Sequence, residues 1–295
     1  MKFRGQNINA AYLFLTPAMT AIFIFFFLPV LAALVMSVTD FDIYSLGDIS
    51  RARFVGFSNY IDLFKNPLFW KALGNTGYFV LVGAPLSILI SMLAAMALNS
   101  KMLRFKPFFR LTFFLPVVTT LVAVAVIWRY IYQTRFGLLN YLLSFVGINP
   151  IDWLGNPHWA MLALIVMAVW KGFGYNMIIF VAGLQNIPET LYEAARLDGA
   201  NGWQEFRNVT LPMLAQTTGF ITITTLIGYC QFFAEPYVMT DGGPLNSTLS
   251  IVLMMYKEGF KFWRMGYSAA IAFILFGIIL IITLIQLRIQ KQYEI

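Results

Sequence analysis

Residues 10–36 read AAYLFLTPAMTAIFIFFFLPVLAALVM, an apolar run without a charged side chain. A helix needs roughly 20 apolar residues to cross a hydrocarbon core of about 30 Å, so this run is long enough to span a bilayer. The apolar region of a cleaved signal peptide has only about 7–15 residues. The run therefore predicts a retained transmembrane helix.

Five further apolar runs of comparable length follow this first one. They cover residues 73–98, 111–127, 159–184, 211–234 and 265–287. We expect an all-α membrane protein in which six transmembrane helices form one domain over residues 10–290. The short segments 1–9 and 291–295 are then predicted to be cytoplasmic ends.

The composition agrees with a chain that lies mostly in lipid. Of its 295 residues, 60% are hydrophobic and 11% are charged, whereas a soluble domain carries about 25% charged residues. The net charge of +7 could suggest nucleic acid, but the basic residues are scattered between apolar runs and form no stripe on one face. The bilayer, and not nucleic acid, is the expected partner. With Cys230 and His158 as the sole cysteine and histidine, neither an internal disulfide nor a His/Cys zinc site is expected.

The flanking charges of the first run predict its orientation. Lys2 and Arg4 precede it and three aspartates follow it, which favours a cytoplasmic N-terminus because basic residues stay inside. The next inner loop, residues 99–110, then carries four basic residues: Lys101, Arg104, Lys106 and Arg110. Six spans place the C-terminus in the cytoplasm as well.

The inner segment 187–212 reads IPETLYEAARLDGANGWQEFRNVTLP and has the local signals of two short helices. Pro188 suits a first helical position, and Glu189 complements the helix dipole in the first turn. Gly199 is expected to end the helix in a left-handed conformation, which needs no Cβ. A second short helix is predicted at 202–208. The result is a helix–turn–helix outside the membrane, a surface suited to docking a partner.

The same segment carries a motif with a specific spacing. It resembles the EAA loop of binding-protein-dependent ABC importer permeases through Glu193, Ala194, Ala195, Gly199, Val209, Leu211 and Pro212. The family has Ile where this chain has Val209. The other interpretation of this stretch is an ordinary amphipathic surface helix.

Other stretches are similar to those of carbohydrate permeases in the same family. They are residues 54–60, Asn75 with Thr76, Leu115 with Pro116, Gly137 with Asn140, and residues 240–244. The first span and the following outer loop resemble the larger maltose-type permease subunit. That subunit has extra N-terminal spans and a large periplasmic insertion, and this chain has neither.

The resemblance implies a set of partners and a mechanical role. In that family the EAA loop lies in a cleft of an ATP-binding subunit, so force would pass through Glu193, Ala194, Ala195, Asp198, Gly199 and Pro212. The implied partners are a second permease subunit in a heterodimer, two ATP-binding subunits and an extracytoplasmic substrate-binding protein. This chain lacks a Gly-x-x-x-x-Gly-Lys-[Ser/Thr] phosphate loop. We therefore expect a transport subunit that is not an enzyme and binds no cofactor, with ATP and Mg on the partner subunit.

Polar residues within the spans are candidates for a substrate path, because polar groups at membrane depth are costly and often functional. Gly172 and Gly174 are expected to loosen the fourth span, as transporter helices break at binding sites. The candidate residues are Thr119, Lys171, Gly172, Tyr175, Asn176, Thr225, Tyr229, Gln231 and Phe232. Gly172, Tyr175, Thr225, Tyr229 and Phe232 match sugar-lining positions of the maltose permease by resemblance. The alternative is that Thr and Gly here only pack helices together.

Three charged residues near the spans have open roles at this point. Lys171 could pair with an acidic substrate, snorkel to the interface, or bind a carbonyl of a neighbouring subunit. Glu235 and Asp241 are expected on the outer side, where they would gate the path or meet the binding protein, or simply be solvated.

The sequence predicts import of a mono- or oligosaccharide, or a derivative, and leaves rivals. An importer for a polyamine, a glycerol phosphodiester or an amino acid would share the EAA loop. An ion-coupled secondary transporter would need a buried carboxylate or paired ions in its spans. A membrane enzyme would need clustered His, Asp or Glu near one face. Neither pattern is visible in the sequence.

Overall fold

The structure is a computed structural model that describes residues 7–100 and 103–291. The predicted cytoplasmic ends, 1–9 and 291–295, lie largely outside these ranges, as do Lys2, Arg4 and Lys101. Within the described residues the chain is helical apart from turns, loops and one isolated bridge between Thr39 and Phe54.

The helices of the first half are α1 (Asn7–Ile22), α2 (Leu28–Ser37), α3 (Ile43–Gly47), α4 (Ser58–Lys65), α5 (Pro67–Asn99), α6 (Lys106–Val118), α7 (Leu121–Ile131) and α8 (Leu138–Ser144). Those of the second half are α9 (Pro157–Gln185), α10 (Glu189–Leu197), α11 (Gly202–Glu205), α12 (Leu211–Met213), α13 (Ala215–Cys230), α14 (Ala234–Met239), α15 (Ile251–Tyr256) and α16 (Met265–Lys291). A π-helical turn at Phe23–Phe27 joins α1 to α2, and another at Phe206–Thr210 joins α11 to α12.

By length and composition, the described residues contain four helical stretches able to cross a membrane: Tyr12–Ser37, Pro67–Asn99, Pro157–Gln185 and Met265–Gln290. Two bent pairs raise the number to six if each pair is one span. These stretches coincide with the predicted apolar runs. The expected all-α membrane fold is confirmed, with four spans, or six if each bent pair counts as one.

The continuity of two predicted spans was wrong. The run 111–127 is broken at Thr119 and Thr120, where both residues are extended, and α6 and α7 meet at 101°. The run 211–234 is bent by 66° at Leu214 and is interrupted again between Cys230 and Ala234. Hydropathy averages over a window and is blind to one or two residues with extended dihedrals.

The predicted loosening of the fourth span by Gly172 and Gly174 was also wrong. α9 runs without interruption through both residues. A Cβ on Gly174 would lie less than 3.0 Å from the backbone oxygen of Phe113. Gly174 therefore lets α6 approach the backbone of α9 closely, the usual role of small residues between membrane helices.

The chain divides into two compact units. The first consists of Met1–Pro67 and Met255–Phe276. In it, the amide of Gly266 donates to the carbonyl of Phe41 at 2.9 Å. The buried carboxylate of Glu258 is paired with Arg264. The first of these contacts ties the start of α16 to the loop after α2.

The second unit consists of Leu68–Met254 and Gly277–Ile295 and holds the main apolar clusters. One cluster packs α7 and α9 around the fully buried ring of Tyr132, whose hydroxyl donates to the carbonyl of Ala163 at 2.9 Å. The other packs the end of α5 and α9 against α13, with Phe180 and Leu214 fully buried. The cavities and the segment 187–212 that are described next belong to this unit.

Candidate functional site

A cavity of about 280 Å³ lies among helices of the second unit. It is bounded by α5, by the break between α6 and α7, by α9, and by α13 with the chain that follows it. Broken helices at a membrane site expose backbone polar groups that a ligand can use. The geometry therefore places the cavity where a substrate path is expected.

Seven of the predicted path residues line this cavity: Lys171, Gly172, Tyr175, Asn176, Thr225, Tyr229 and Phe232. The other two do not. The hydroxyl of Thr119 donates to the carbonyl of Pro116 at 2.7 Å, and Gln231 is exposed where α13 ends. These seven residues are spread over 62 positions of the sequence, and the fold brings them together.

The apolar wall of the cavity is aromatic. The rings of Phe79 and Phe232 stack with centroids 3.8 Å apart and an interplanar angle of 4°. The ring of Tyr229 packs against that of Phe79 with centroids 5.2 Å apart. Tyr175 is half exposed. Phe79 and Phe232 are almost fully buried and support this wall, whereas the half-exposed ring of Tyr175 offers a ligand a flat apolar contact beside polar groups.

Hydrogen bonds between helices hold the polar wall in place. The amide of Asn176 on α9 donates to the hydroxyl of Thr225 on α13 at 2.9 Å, and both residues are buried. The hydroxyl of Ser91 on α5 donates to the carbonyl of Phe173 on α9 at 2.9 Å. Asn176 and Thr225 thus also pack helices, as the alternative interpretation expected.

Sequence reasoning missed Glu235 as a lining residue of this cavity. It was expected on the outer side, with solvation as the alternative, but its side chain is only 8% exposed. Because Lys171 lines the same cavity, an acid and a base face one space. The only available signal was its position one residue beyond an apolar run. Ser87, Thr224 and Phe79 also line the cavity.

Gly83 makes room for one wall of the cavity. A Cβ on this residue would lie 2.5 Å from Cε1 of Tyr229 and 3.5 Å from Cγ2 of Ile165. The absence of a side chain at Gly83 therefore sets the position of the Tyr229 ring.

Gly83→Ala is predicted to displace the Tyr229 ring and to be less stable than Gly77→Ala by about 1–3 kcal/mol, the usual cost of overpacking, since both variants share alanine's gain in helix propensity. Gly77→Ala is the matched control, because Gly77 lies on the same helix and a Cβ there meets nothing within 4 Å. Thermal unfolding in detergent measures both variants. Equal unfolding temperatures for the two variants would contradict the prediction.

A larger cavity of about 460 Å³ lies between α12, α13 and the end of α16. Its described lining contains no charged side chain and is mostly apolar. The smaller cavity, with its acid, base and aromatic wall, offers far more specific recognition chemistry.

The predicted coupling segment, 187–212, forms an exposed helix–turn–helix, as expected. The amide of Gly199 donates to the carbonyl of Arg196 at 3.0 Å, and the amide of Ala200 donates to that of Ala195 at 2.9 Å. This pair of bonds is a Schellman motif, and Gly199 occupies its left-handed position with φ of +82°. The predicted helix stop is confirmed. Pro188 precedes the first helical residue instead of being that residue.

The two short helices are joined by an ion pair that the sequence analysis did not identify. Nε of Arg196 donates to Oε1 of Glu205 at 2.9 Å, and Glu205 raises the pKa of Arg196. The hydroxyls of Tyr192 and Thr210 are hydrogen-bonded at 2.9 Å. These contacts hold the two short helices in a fixed arrangement around the turn.

The surface of segment 187–212 is exposed and partly apolar. Glu193, Ala194, Asp198, Gly199 and Pro212 are exposed, and Ala195 is intermediate. Leu197 is 89% exposed and Trp203 is 67% exposed. Large exposed apolar residues beside a rigid turn are typical of an interaction surface. Leu197 and Trp203 were not among the predicted coupling residues.

Comparison with known proteins agrees with this architecture. The chain is similar to the lactose transport system permease protein LacF of Rhizobium radiobacter, with 37% identity over 98% of this chain and 96% of the relative. It is 35% identical to the arabinooligosaccharides transport system permease protein AraP of Bacillus subtilis (strain 168), over 97% of this chain and 90% of the relative.

The fold matches a solved structure with a TM-score of 0.80 and 22% identity, over 97% of this chain and 96% of that chain. That protein is a bacterial ABC transporter involved in the import of the acidic polysaccharide alginate. The family model for the binding-protein-dependent transport system inner membrane component matches residues 87–294. The chain belongs to this family of membrane permease components.

Proposed function

We propose that this chain is the permease subunit of an ATP-driven importer that moves a mono- or oligosaccharide, or a derivative, across the bacterial inner membrane. A binding protein delivers the solute from outside, and the helices alternate between outward-open and inward-open states. The observation that carries the proposal is the cavity whose stacked Phe79 and Phe232 lie beside the polar groups of Asn176, Thr225 and Glu235. The sugar-transport names of its relatives support the same solute class.

The energy source in this proposal is a separate pair of ATP-binding subunits that hold ATP and Mg. The exposed segment 187–212 would dock on them, with Leu197 and Trp203 as apolar anchors beside the Gly199 turn. A second permease subunit, different from this one, would complete the path. Both termini would be cytoplasmic, so that segment 187–212 faces the ATPases.

The proposal is tested by purifying a tagged form from native membranes and reconstituting the complex, with its binding protein, into liposomes. An ATPase subunit should co-purify, and uptake of radiolabelled lactose, maltotriose or arabinotriose should require ATP inside the vesicle. Uptake of spermidine, glycerophosphocholine or an amino acid, and not of a sugar, would show that the proposed solute class is wrong. Uptake driven by a proton or sodium gradient without ATP would overturn the mechanism, a necessary arm because Glu235 is a buried carboxylate.

A further inference from the structure

The cavity is lined by a buried carboxylate that has an oxygen without a hydrogen-bond partner. Among the described residues, Ser87 Oγ, Tyr229 Oη and Glu235 Oε2 are buried lining atoms outside the regular hydrogen-bond network, but the Ser87 and Tyr229 hydroxyls interact with each other. Glu235 Oε2 is therefore the lining oxygen that is left without a partner. Leaving a buried polar group without a partner is strongly unfavourable, and more so for a carboxylate. A carboxylate oxygen of this kind beside a cavity indicates a ligand that supplies a hydrogen-bond donor.

The charges of the lining narrow the class of that ligand. Lys171 and Glu235 are the charged residues of the described lining, so their formal charges cancel. A carboxylate accepts hydrogen bonds and repels an anion, whereas an ammonium group repels a cation. A neutral molecule rich in hydroxyl groups satisfies both, because each hydroxyl can donate to Glu235 or accept from Lys171.

We infer that Glu235 selects uncharged, hydroxyl-rich solutes in this cavity by accepting hydrogen bonds from solute hydroxyls, and that it rejects anionic sugars. The inference rests on the proposed function, since it names the substrate class of the same site. It also assigns a role to Tyr175, whose half-exposed ring lines the same cavity and contacts the apolar face of a sugar ring.

The test uses the complete transporter with whichever of lactose, maltotriose or arabinotriose the wild type takes up. At saturating loaded binding protein, maximal uptake reports events after delivery. Glu235→Gln should lower solute moved per ATP by roughly tenfold, the effect of losing one charge-assisted hydrogen bond, while ATP turnover stays near the wild-type rate. A purely structural role would lower both quantities together.

The control is Asp62→Asn, which makes the same carboxylate-to-amide change at an exposed residue outside the cavity. It should leave solute moved per ATP unchanged. If Glu235→Gln fails to assemble, Glu235→Asp keeps the charge and Tyr229→Phe removes only the ring hydroxyl. The first should retain part of the uptake, and the second should lower it. Wild-type uptake by Tyr229→Phe together with loss of uptake by Glu235→Asp would contradict the inference.

Charge selectivity is measured directly, without the binding protein, by ligand-observed NMR on the assembled transporter in nanodiscs. The neutral sugar is compared with trigalacturonate and triglucosamine. The wild type should bind the neutral sugar and exclude trigalacturonate, and Glu235→Gln should lose this preference. Preferential binding of triglucosamine would make Glu235 a counter-ion for cations, and unchanged uptake by Glu235→Gln would remove its role; either result overturns the inference. Failure of the wild type to take up any neutral sugar would instead refute the proposed function.

Discussion

Replacing Gly199 with leucine should abolish solute uptake by the assembled transporter while ATP hydrolysis continues. Gly199 has φ of +82°, so a side chain there strains the turn by roughly 1–2 kcal/mol. A Cβ at this position meets nothing within 4 Å, so the chain itself has room for it. The added side chain would instead project from the exposed surface that we propose docks on the ATPase. Uptake and ATP turnover in proteoliposomes measure the loss of coupling.

Gly147 provides a closely matched control for this change. Its φ is +75°, a Cβ there also meets nothing within 4 Å, and it occupies the same position of a Schellman motif. The amide of Gly147 donates to Ser144 at 3.1 Å, and the amide of Ile148 donates to Leu143 at 3.2 Å. Gly147→Leu therefore imposes the same strain outside the coupling segment, and uptake should persist. Normal uptake and assembly by Gly199→Leu, or equal loss in both variants, would show that the turn does not transmit force.

Gly174→Ala is expected to have the largest effect on folding. The added Cβ would collide with the backbone oxygen of Phe113, which cannot rotate away as a side chain does. α6 and α9 must therefore separate, at a cost of about 3 kcal/mol or more. That loss corresponds to a fall of roughly 6 °C or more in the unfolding temperature. Thermal unfolding of the detergent-solubilised protein measures it.

The comparison variant is Gly172→Ala, two residues away on the same helix, where a Cβ meets nothing within 4 Å. Alanine is a better helix former than glycine by about 1 kcal/mol, so the unfolding temperature should stay the same or rise. If both variants unfold at the wild-type temperature, the close contact between α6 and α9 is not a structural requirement. Only stability is compared here, because Gly172 lines the cavity.

The two glycines show how far sequence reasoning reached in this site. Their spacing within an apolar run drew attention to a stretch of α9 that lines the cavity, and seven of the nine predicted residues line that one cavity. The expected physical role was wrong, because a glycine that loosens a helix and a glycine that permits close packing have the same local sequence. The difference lies in Phe113, which is 61 positions away.

The extended break at Thr119 and Thr120 shows a second limit. Pro116 and the two threonines mark a place where a helix can bend, but nothing local specifies the angle of 101° between α6 and α7. That angle depends on the packing of α6 against α9. The break forms one border of the cavity, so the shape of the site was out of reach of the sequence as well.

The sequence by itself determined the features that depend on nearby residues: the apolar stretches, and the glycine-capped turn at 187–212. Run length and left-handed dihedrals are properties of a few consecutive residues, and so they can be read locally. Only the tertiary structure decided that Glu235 is buried and lines the same aromatic cavity as Lys171, and that Gly83 and Gly174 serve as contact points. Burial and close approach are set by residues distant in the chain, which hydropathy and spacing do not record.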